Sequence, residues 1–433
     1  MSERQWKRLD AVERIERGAL TSGEAAEVLG LSVRQVRRLR RAVEKRGREG
    51  VVHGNAGRAP AHRVADSVQV RILELRRTKY VGFNDHHFTE KLCEVEGMEI
   101  SRSSVQRMLR AAGIVPPRRR RAPKHRRRRD RKTQAGLMIL WDGSRHEWLE
   151  KRGPMLCLMG AIDDASGELL PGAHFVEQEC AAGYLHVLKA IAEEKGLPWS
   201  VYMDRHGSLK RNDNHWTLEE ELRGSQEPTQ VGLALQTLEI EVIYALSPQA
   251  KGRVERLWGT LQDRLVSELR LAGASTAAHA NAVLVTCRPD HNRRFAIGAA
   301  NPTPAWRRVR RGTDLTRVFS FHYEATVLND NTVRLAGIVI DIPPGPRKRS
   351  YAGTRVELRQ LLDGSWRVYL ADAVIATAAA TTTGELRSLR RRRRRPPSAA
   401  SAGKTPVALR APSVSPAPMI TSAQRARGGG QNH

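Results

Sequence analysis

Three acids stand apart from the other carboxylates of this chain: Asp142, Asp204 and Glu255. Asp142 ends the apolar run Gly136-Leu-Met-Ile-Leu-Trp141, and Asp204 ends Ser200-Val-Tyr-Met203. Both therefore read as strand ends. Glu255 lies within Ser247-Pro-Gln-Ala-Lys-Gly-Arg-Val-Glu-Arg-Leu-Trp258. Pro248 bars a helix before it, and Val254, Leu257, Trp258, Leu261, Leu265 and Leu269 then recur at helical spacing. That leaves Glu255 at the margin of a buried stripe, with Gly259 one turn on. In an α/β sheet, groups at strand ends gather at one edge, where a residue of a helix packed across the sheet can meet them. Three carboxylates from separate segments suit two divalent cations about 3.5–4 Å apart, the device that neutralises the attacking and leaving oxygens of a phosphodiester. Mg2+ is the expected ion, two per site, with Mn2+ able to substitute. Each acid also has a plainer reading: a cap or turn residue for Asp142 and Asp204, a solvated ion-pair partner for Glu255. Asp163 and Asp164 are rival acids, but Asp163-Asp-Ala-Ser-Gly167 is turn chemistry. Glu147 and Glu150 read as structural or DNA-proximal.

The elements that would position these acids form a mixed α/β domain over 135–310. Strands are expected at 136–143, 154–162, 169–176, 200–204 and 239–245. Helices are expected at 184–194 and 230–238 and in the Glu255 segment. After Trp306 the pattern turns to β, with alternating runs at 319–328, 332–342, 355–361 and 366–370, and a small barrel is expected over 311–377.

Charge points to the partner. Lys and Arg number 74 against 46 Asp and Glu, a formal net charge of +28 over 433 residues. Such an excess reads as a polyanion partner. A membrane is not expected as that partner, because the longest apolar run, near 155–162, is far short of the ~20 residues of a spanning helix. The N-terminal segment is charged and holds no apolar signal. Cys93, Cys157, Cys180 and Cys287 are scattered with no CxxC pair, so disulfide frameworks and zinc ribbons are not expected and a reducing cytoplasm is. His86 and His87 beside Cys93 lack a second cysteine for a zinc site.

Residues 1–50 read as helices. Thr21 or Ser22 can cap one, Gly30 breaks it and Ser32 caps the next, whose Val33, Val36 and Leu39 should face inward. Ser32, Arg34, Gln35, Arg37, Arg38 and Arg41 would then face out, and a helix, glycine turn and basic helix is the helix-turn-helix pattern of a DNA-binding domain. A second unit of the same logic spans 51–116 and ends in Ser101-Arg-Ser-Ser-Val-Gln-Arg-Met-Leu-Arg110, with Ser103, Ser104, Gln106 and Arg107 as its DNA contacts. Residues 117–134 form a basic arm with Asp130 the one acid, suited to lying along phosphates. Lys251, Arg253 and Arg256 flank Glu255 as further phosphate contacts. The segment 378–433, with its arginine run 390–395, is a low-complexity tail expected to be disordered.

Four blocks carry a family resemblance: Leu140-Trp-Asp-Gly-Ser-Arg-His-Glu-Trp-Leu-Glu-Lys-Arg-Gly-Pro154, Ala161-Ile-Asp-Asp-Ala-Ser-Gly167, Tyr202-Met-Asp-Arg-His-Gly207 and the segment 247–264. They resemble the ISNCY-type insertion-sequence transposases, within the DDE transposases and retroviral integrases. The likeness spans roughly 15–375. It implies a multidomain protein: N-terminal all-α helix-turn-helix units, a central ribonuclease H-like catalytic core with a mixed sheet, and a C-terminal SH3-like β-barrel. It makes Asp142, Asp204 and Glu255 the catalytic and metal-binding triad, with 209–227 inserted before the Glu255 helix. It also makes the N-terminal helices readers of terminal inverted repeats in double-stranded DNA. Joining two such ends to target DNA calls for a homodimer or higher oligomer, acting in the bacterial cytoplasm at the nucleoid. Two other readings share these features: a DNA-binding regulator with a catalytically silent integrase-like dimerisation domain, and a nuclease of the same core fold that cuts without joining.

Overall fold

The computed structural model describes residues 1–56, 63–117, 129–204, 206–209, 211, 216–244 and 252–386. Most of the basic arm, the segment before Glu255 that includes Lys251, and the arginine-rich tail therefore lie outside the described residues. The described residues divide into two compact units, one of Met1–His322 with Arg359–Trp366 and Ala379–Thr383, the other of Tyr323–Leu358 and Arg367–Ala378 with 384–386.

The first three helices are α1 (Glu3–Glu16), α2 (Ser22–Leu29) and α3 (Val33–Arg46). Thr21 caps α2, Gly30 ends it at φ 62° in the left-handed region, and Ser32 caps α3. These are the punctuation marks expected of the turn. Ala25, Ala26 and Val36 close one small core, and Leu9, Val12, Val43 and Val51 close another. Val33 departs from expectation. It occupies the first position of α3, ahead of the turn that packs, and is 39% exposed.

The next three helices, α4 (Asp66–Arg77), α5 (Asp85–Glu94) and α6 (Arg102–Ala111), enclose Ile72, Tyr80, Phe83, Phe88, Leu92, Val105 and Leu109. Burying several large aromatic and aliphatic side chains, each worth about 1.5–3 kcal/mol, gives this short unit a core of its own.

The central sheet contains β1 (Met138–His146), β2 (Leu156–Asp163), β3 (His174–Val176), β4 (Ser200–Met203) and β5 (Glu241–Tyr244), in the order β3-β2-β1-β4-β5. The β1–β2 and β2–β3 pairs are antiparallel, whereas β1–β4 and β4–β5 are parallel. Helix α7 (Ala181–Glu194) leads from the β3 side of the sheet to β4. The short α8 (Leu218–Arg223) and then α9 (Gln230–Thr237) lead to β5, and α10 (Gly252–Leu271) and α11 (Ala277–Phe295) follow. The parallel pairs need these crossovers, as parallel strands do in general. A mixed sheet with helices beside it fits the expected ribonuclease H-like core.

Strand alternation divides the core into two faces. Met138, Leu140, Leu158 and Tyr202 share a cluster with Val254, Leu257, Trp258, Leu261 and Leu265 of α10 and with Ala280 and Leu284 of α11. Trp141, on the opposite face of β1, lies 5.1 Å from the Tyr184 ring of α7. The segment expected as a strand at 169–176 pairs regularly only at its end, in β3, with an isolated bridge at Leu169. Its free backbone groups are taken by α11: Asn292 accepts from Leu169 N at 2.8 Å and donates to its carbonyl, and Asn281 does the same for Phe175.

The strands that follow α11 are β6 (Phe321–Thr326), β7 (Thr332–Leu335), β8 (Ile338–Asp341), β9 (Arg355–Gln360), β10 (Trp366–Leu370) and β11 (Ala373–Ala378), preceded by the single turn α12 (Leu315–Val318). They form one sheet in the order β11-β10-β9-β6 and a separate β7–β8 hairpin. The run 332–342 is thus two strands. Ala336 and Gly337, at φ 48° and 88°, supply the two positive-φ residues of a tight hairpin turn.

Candidate active site

The pairing of β1 with β4 sets the geometry of the two aspartates. Met138 faces Ser200, Ile139 faces Val201 and Leu140 faces Tyr202. Two residues further along each strand stand Asp142 and Asp204, at corresponding positions and with the parity of Leu140 and Tyr202. Neighbouring strands lie about 4.8 Å apart, so the pairing brings the chain at these two half-buried residues to the same end of the sheet. Asp142 does not end its strand, contrary to expectation. β1 runs on to His146, held by β2, and Asp142 itself pairs with Gly160. What ends there is the parallel pairing, because β4 stops at Met203 and Asp204 turns back to accept the His206 N–H at 3.0 Å.

α10 crosses the same face. Its Trp258 donates the indole N–H to Asp142 Oδ2 at 3.3 Å. A Cβ on Gly160 would stand 3.3 Å from the Trp258 ring and 3.3 Å from Ala173 Cβ, so glycine leaves room for that ring over the strand. Glu255 lies one turn before Trp258. Its neighbour Val254 is fully buried, and Glu255 itself is exposed. Among the described residues no three His, Cys, Asp or Glu side chains are gathered closely enough to hold a metal ion. Donor type does fit: carboxylates are the oxygen ligands that Mg2+ or Mn2+ takes.

Residues not anticipated from sequence complete the surroundings. Tyr184 donates its hydroxyl to Glu179, and His206 Nδ1 lies 3.3 Å from the same carboxylate. Burial pushes the Tyr184 phenol well above its ordinary range, and the negative charges of Glu179, Asp142 and Asp204 add to the shift. The Cys157 thiol is pushed up to about 12, by burial first and then by Glu179 and Asp142. Both groups report one concentration of negative charge at this end of the sheet. Glu179 sits just before α7 in a stretch without periodicity, and its only signal was its place at a helix start.

The rival acids are structural. Asp163 is fully buried and accepts from Gly136 N, Ser166 N and the Ser166 hydroxyl at 2.8–2.9 Å. Asp164, also fully buried, binds Arg129, the Lys132 N–H and Arg253 Nη1, the last at 2.5 Å. The Arg253 guanidinium pairs with this buried carboxylate and bonds the Arg129 carbonyl. Arg256 is exposed, and Lys251 lies outside the described residues.

On α3, Arg34, Arg37, Arg38 and Arg41 are exposed. Ser32 and Gln35 are exposed too, but each bonds the other's backbone N–H in a capping box, at 3.0 and 3.2 Å. On α6, Ser103 and Arg107 are exposed while Ser104 and Gln106 are half-buried. Arg107 folds back on the Ser103 carbonyl and the Ser104 hydroxyl. Among the described residues no helix is long and apolar enough to cross a membrane.

No family model matches the chain. It is 33% identical over 376 residues to the transposase y4bF of Sinorhizobium fredii, spanning 83% of this chain and 79% of that protein. It is 32% identical over 334 residues to the transposase for insertion sequence IS1202 of Streptococcus pneumoniae, spanning 67% and 68%. Solved chains it is similar to include one from a simian T-cell lymphotropic virus intasome in complex with a PP2A regulatory subunit, at 12% identity and a TM-score of 0.27 over 71% of this chain and 99% of that one. Another is the HTLV-2 integrase catalytic core domain in complex with magnesium, at 18% identity and a TM-score of 0.24 over 35% and 86%. By its identity to curated relatives over most of its length, the chain belongs to the insertion-sequence transposases.

Proposed function

We propose that this transposase acts by DDE chemistry, with Asp142, Asp204 and Glu255 as its carboxylates. The observation that supports this reading most is the parallel pairing of β1 with β4, the strands leading to Asp142 and Asp204, together with the bond from Trp258 of the Glu255 helix to Asp142. Asp142 and Asp204 would hold the divalent cations and Glu255 would complete their ligands. When bound, those ions neutralise charge on the attacking and leaving oxygens. The indole N–H of Trp258 keeps the Asp142 carboxylate turned toward α10, and the buried Tyr184 and Trp141 exclude water from the opposite side of the strand.

Water would first displace the 3′ oxygen at the end of the element, breaking one P–O bond as another forms. The freed 3′-hydroxyl would then displace a target 3′ oxygen in the same way. One phosphodiester is exchanged for another in that second step, so joining needs no ATP.

In this reading, residues 1–50 and 51–116 bind terminal inverted repeats, 117–134 is a basic arm, 135–310 is the catalytic core and 311–377 an SH3-like barrel that assists on DNA. A dimer or larger assembly brings two ends together at the nucleoid. A strand-transfer assay with Mg2+ or Mn2+ tests it: wild type gives joined product and Glu255→Gln gives none. Cutting without joining by the wild type would make the chain a nuclease, and binding without cutting would make it a regulator.

A further inference from the structure

The second helical unit is not merely tethered to the catalytic domain; it is seated on α10. Glu268 of α10 accepts from His87 Nε2 at 2.6 Å and pairs with Lys91 at 2.8 Å. Arg264 pairs with Glu90, Asp263 accepts from the Asn84 amide, and Arg270 bonds the Val81 carbonyl. From α11, Arg294 reaches Glu94 at 2.6 Å and Glu90 at 3.1 Å. Partners on α5, and on the loop leading into it, thus engage two helices of the core through a set of largely buried charges.

This seating makes α6 and α10 the walls of an open groove of about 680 Å3. Arg102, Gln106 and Arg110 line it from α6, and Arg256, Thr260 and Arg264 from α10. Two of the four arginines are committed, Arg110 to Asp85 and Arg264 to Glu90. Arg102 and Arg256 are exposed and pair with no carboxylate among the described residues. Pro116 and Pro117 form part of the lining, and in sequence the arginine-rich arm follows directly from Pro117. Arg256 is also the residue next to Glu255.

We infer that this groove is a track for one sugar-phosphate strand of DNA, with Arg102 and Arg256 as its phosphate contacts, leading DNA held at α6 onto Glu255 of the same chain. The inference deepens the proposed transposase reading and rests on it. Its chemistry is that of phosphate recognition: unpaired guanidiniums on two facing helices, with the Gln106 amide beside them. The α6 helix is therefore a fixed guide for the substrate, and the distance from its binding site to the cleaved bond is set by the docked ion pairs.

The test is the salt dependence of binding by the full chain, using a duplex of the DNA flanking the coding region and a random duplex of equal length. Each lost phosphate contact lowers the slope of log K against log salt by about one. Arg102→Ala/Arg256→Ala should lower it by about two while the thermal transition stays in place. Arg223→Ala/Arg308→Ala, which removes two exposed arginines elsewhere, should leave it near the wild-type value. Equal slopes for wild type and the groove variant, or an equal drop in both variants, would overturn the track while leaving the transposase reading intact. A wild type that binds neither duplex would overturn both.

Discussion

Trp258 hands its indole N–H to Asp142 across 3.3 Å, linking the helix of one proposed catalytic acid to the strand of another. Side chains packed against the sheet hold α10 down, and this bond ties it to the β1 carboxylate.

Trp258→Phe keeps most of the buried ring and removes the donor. Unfolding measurements should show a loss of ~1.5–3 kcal/mol, that of one hydrogen bond to a charged group, whereas strand transfer should fall by a much larger factor. Trp258→Ala, which also leaves a cavity, should cost ~3–5 kcal/mol. Equal effects of Phe on stability and activity would deny the bond a positioning role.

Gly160 is glycine because of what lies over it. A Cβ would meet Ala173 and the Trp258 ring, each at 3.3 Å. Gly160→Val should therefore displace that ring and destabilise the fold by ~1–3 kcal/mol of overpacking strain, read as a lower Tm together with lost activity.

Asp164 gathers Arg129 and Arg253 at a fully buried carboxylate. Asp164→Asn should cost ~1.5–3 kcal/mol, the range for hydrogen bonds to a charged group, and free Arg253 from its tether. Chemical denaturation of the two proteins checks it.

Buried histidines predict the acid side of the stability profile. Burial lowers His174 and His291 to about 4, and it lowers His87 and His186 as well. In each case the unfolded chain takes up the proton first, below about pH 6.5. Stability is thus full above that value and lost as pH falls toward about 4. Thermal melts should show the decline over this window, and His291→Phe should flatten part of it. A Tm that rises on acidification through the same window would contradict the assignment.

Local chemistry made much of this legible in the sequence. The stripe Val254, Leu257, Trp258, Leu261, Leu265 and Leu269 is buried throughout, since a long amphipathic helix on a sheet leaves one face no alternative. Thr21, Gly30 and Ser32 mark their helix ends through bonds to adjacent backbone. Features that depend on distant partners were not legible. β1 passes through Asp142-Gly143-Ser144 because β2 pairs with it that far, and nothing in those residues announces a strand. Helix α11 buries only Ala280, Leu284 and His291 and contains Pro289, so it showed no stripe. Glu179 and His206 meet only after folding, and Arg253 finds Asp164 only when the turn and α10 come together. The Gln35 amide oxygen accepts the Ser32 N–H.

The account depends on Asp204 being a ligand of the reaction's cations beside Asp142. Replacing it with a thiol is the most direct test, because sulfur discriminates against the hard Mg2+ ion and accepts softer metals. Asp204→Cys should join DNA ends poorly or not at all with Mg2+ and recover joining with Mn2+. Wild-type joining by Asp204→Cys with Mg2+ alone would contradict the assignment.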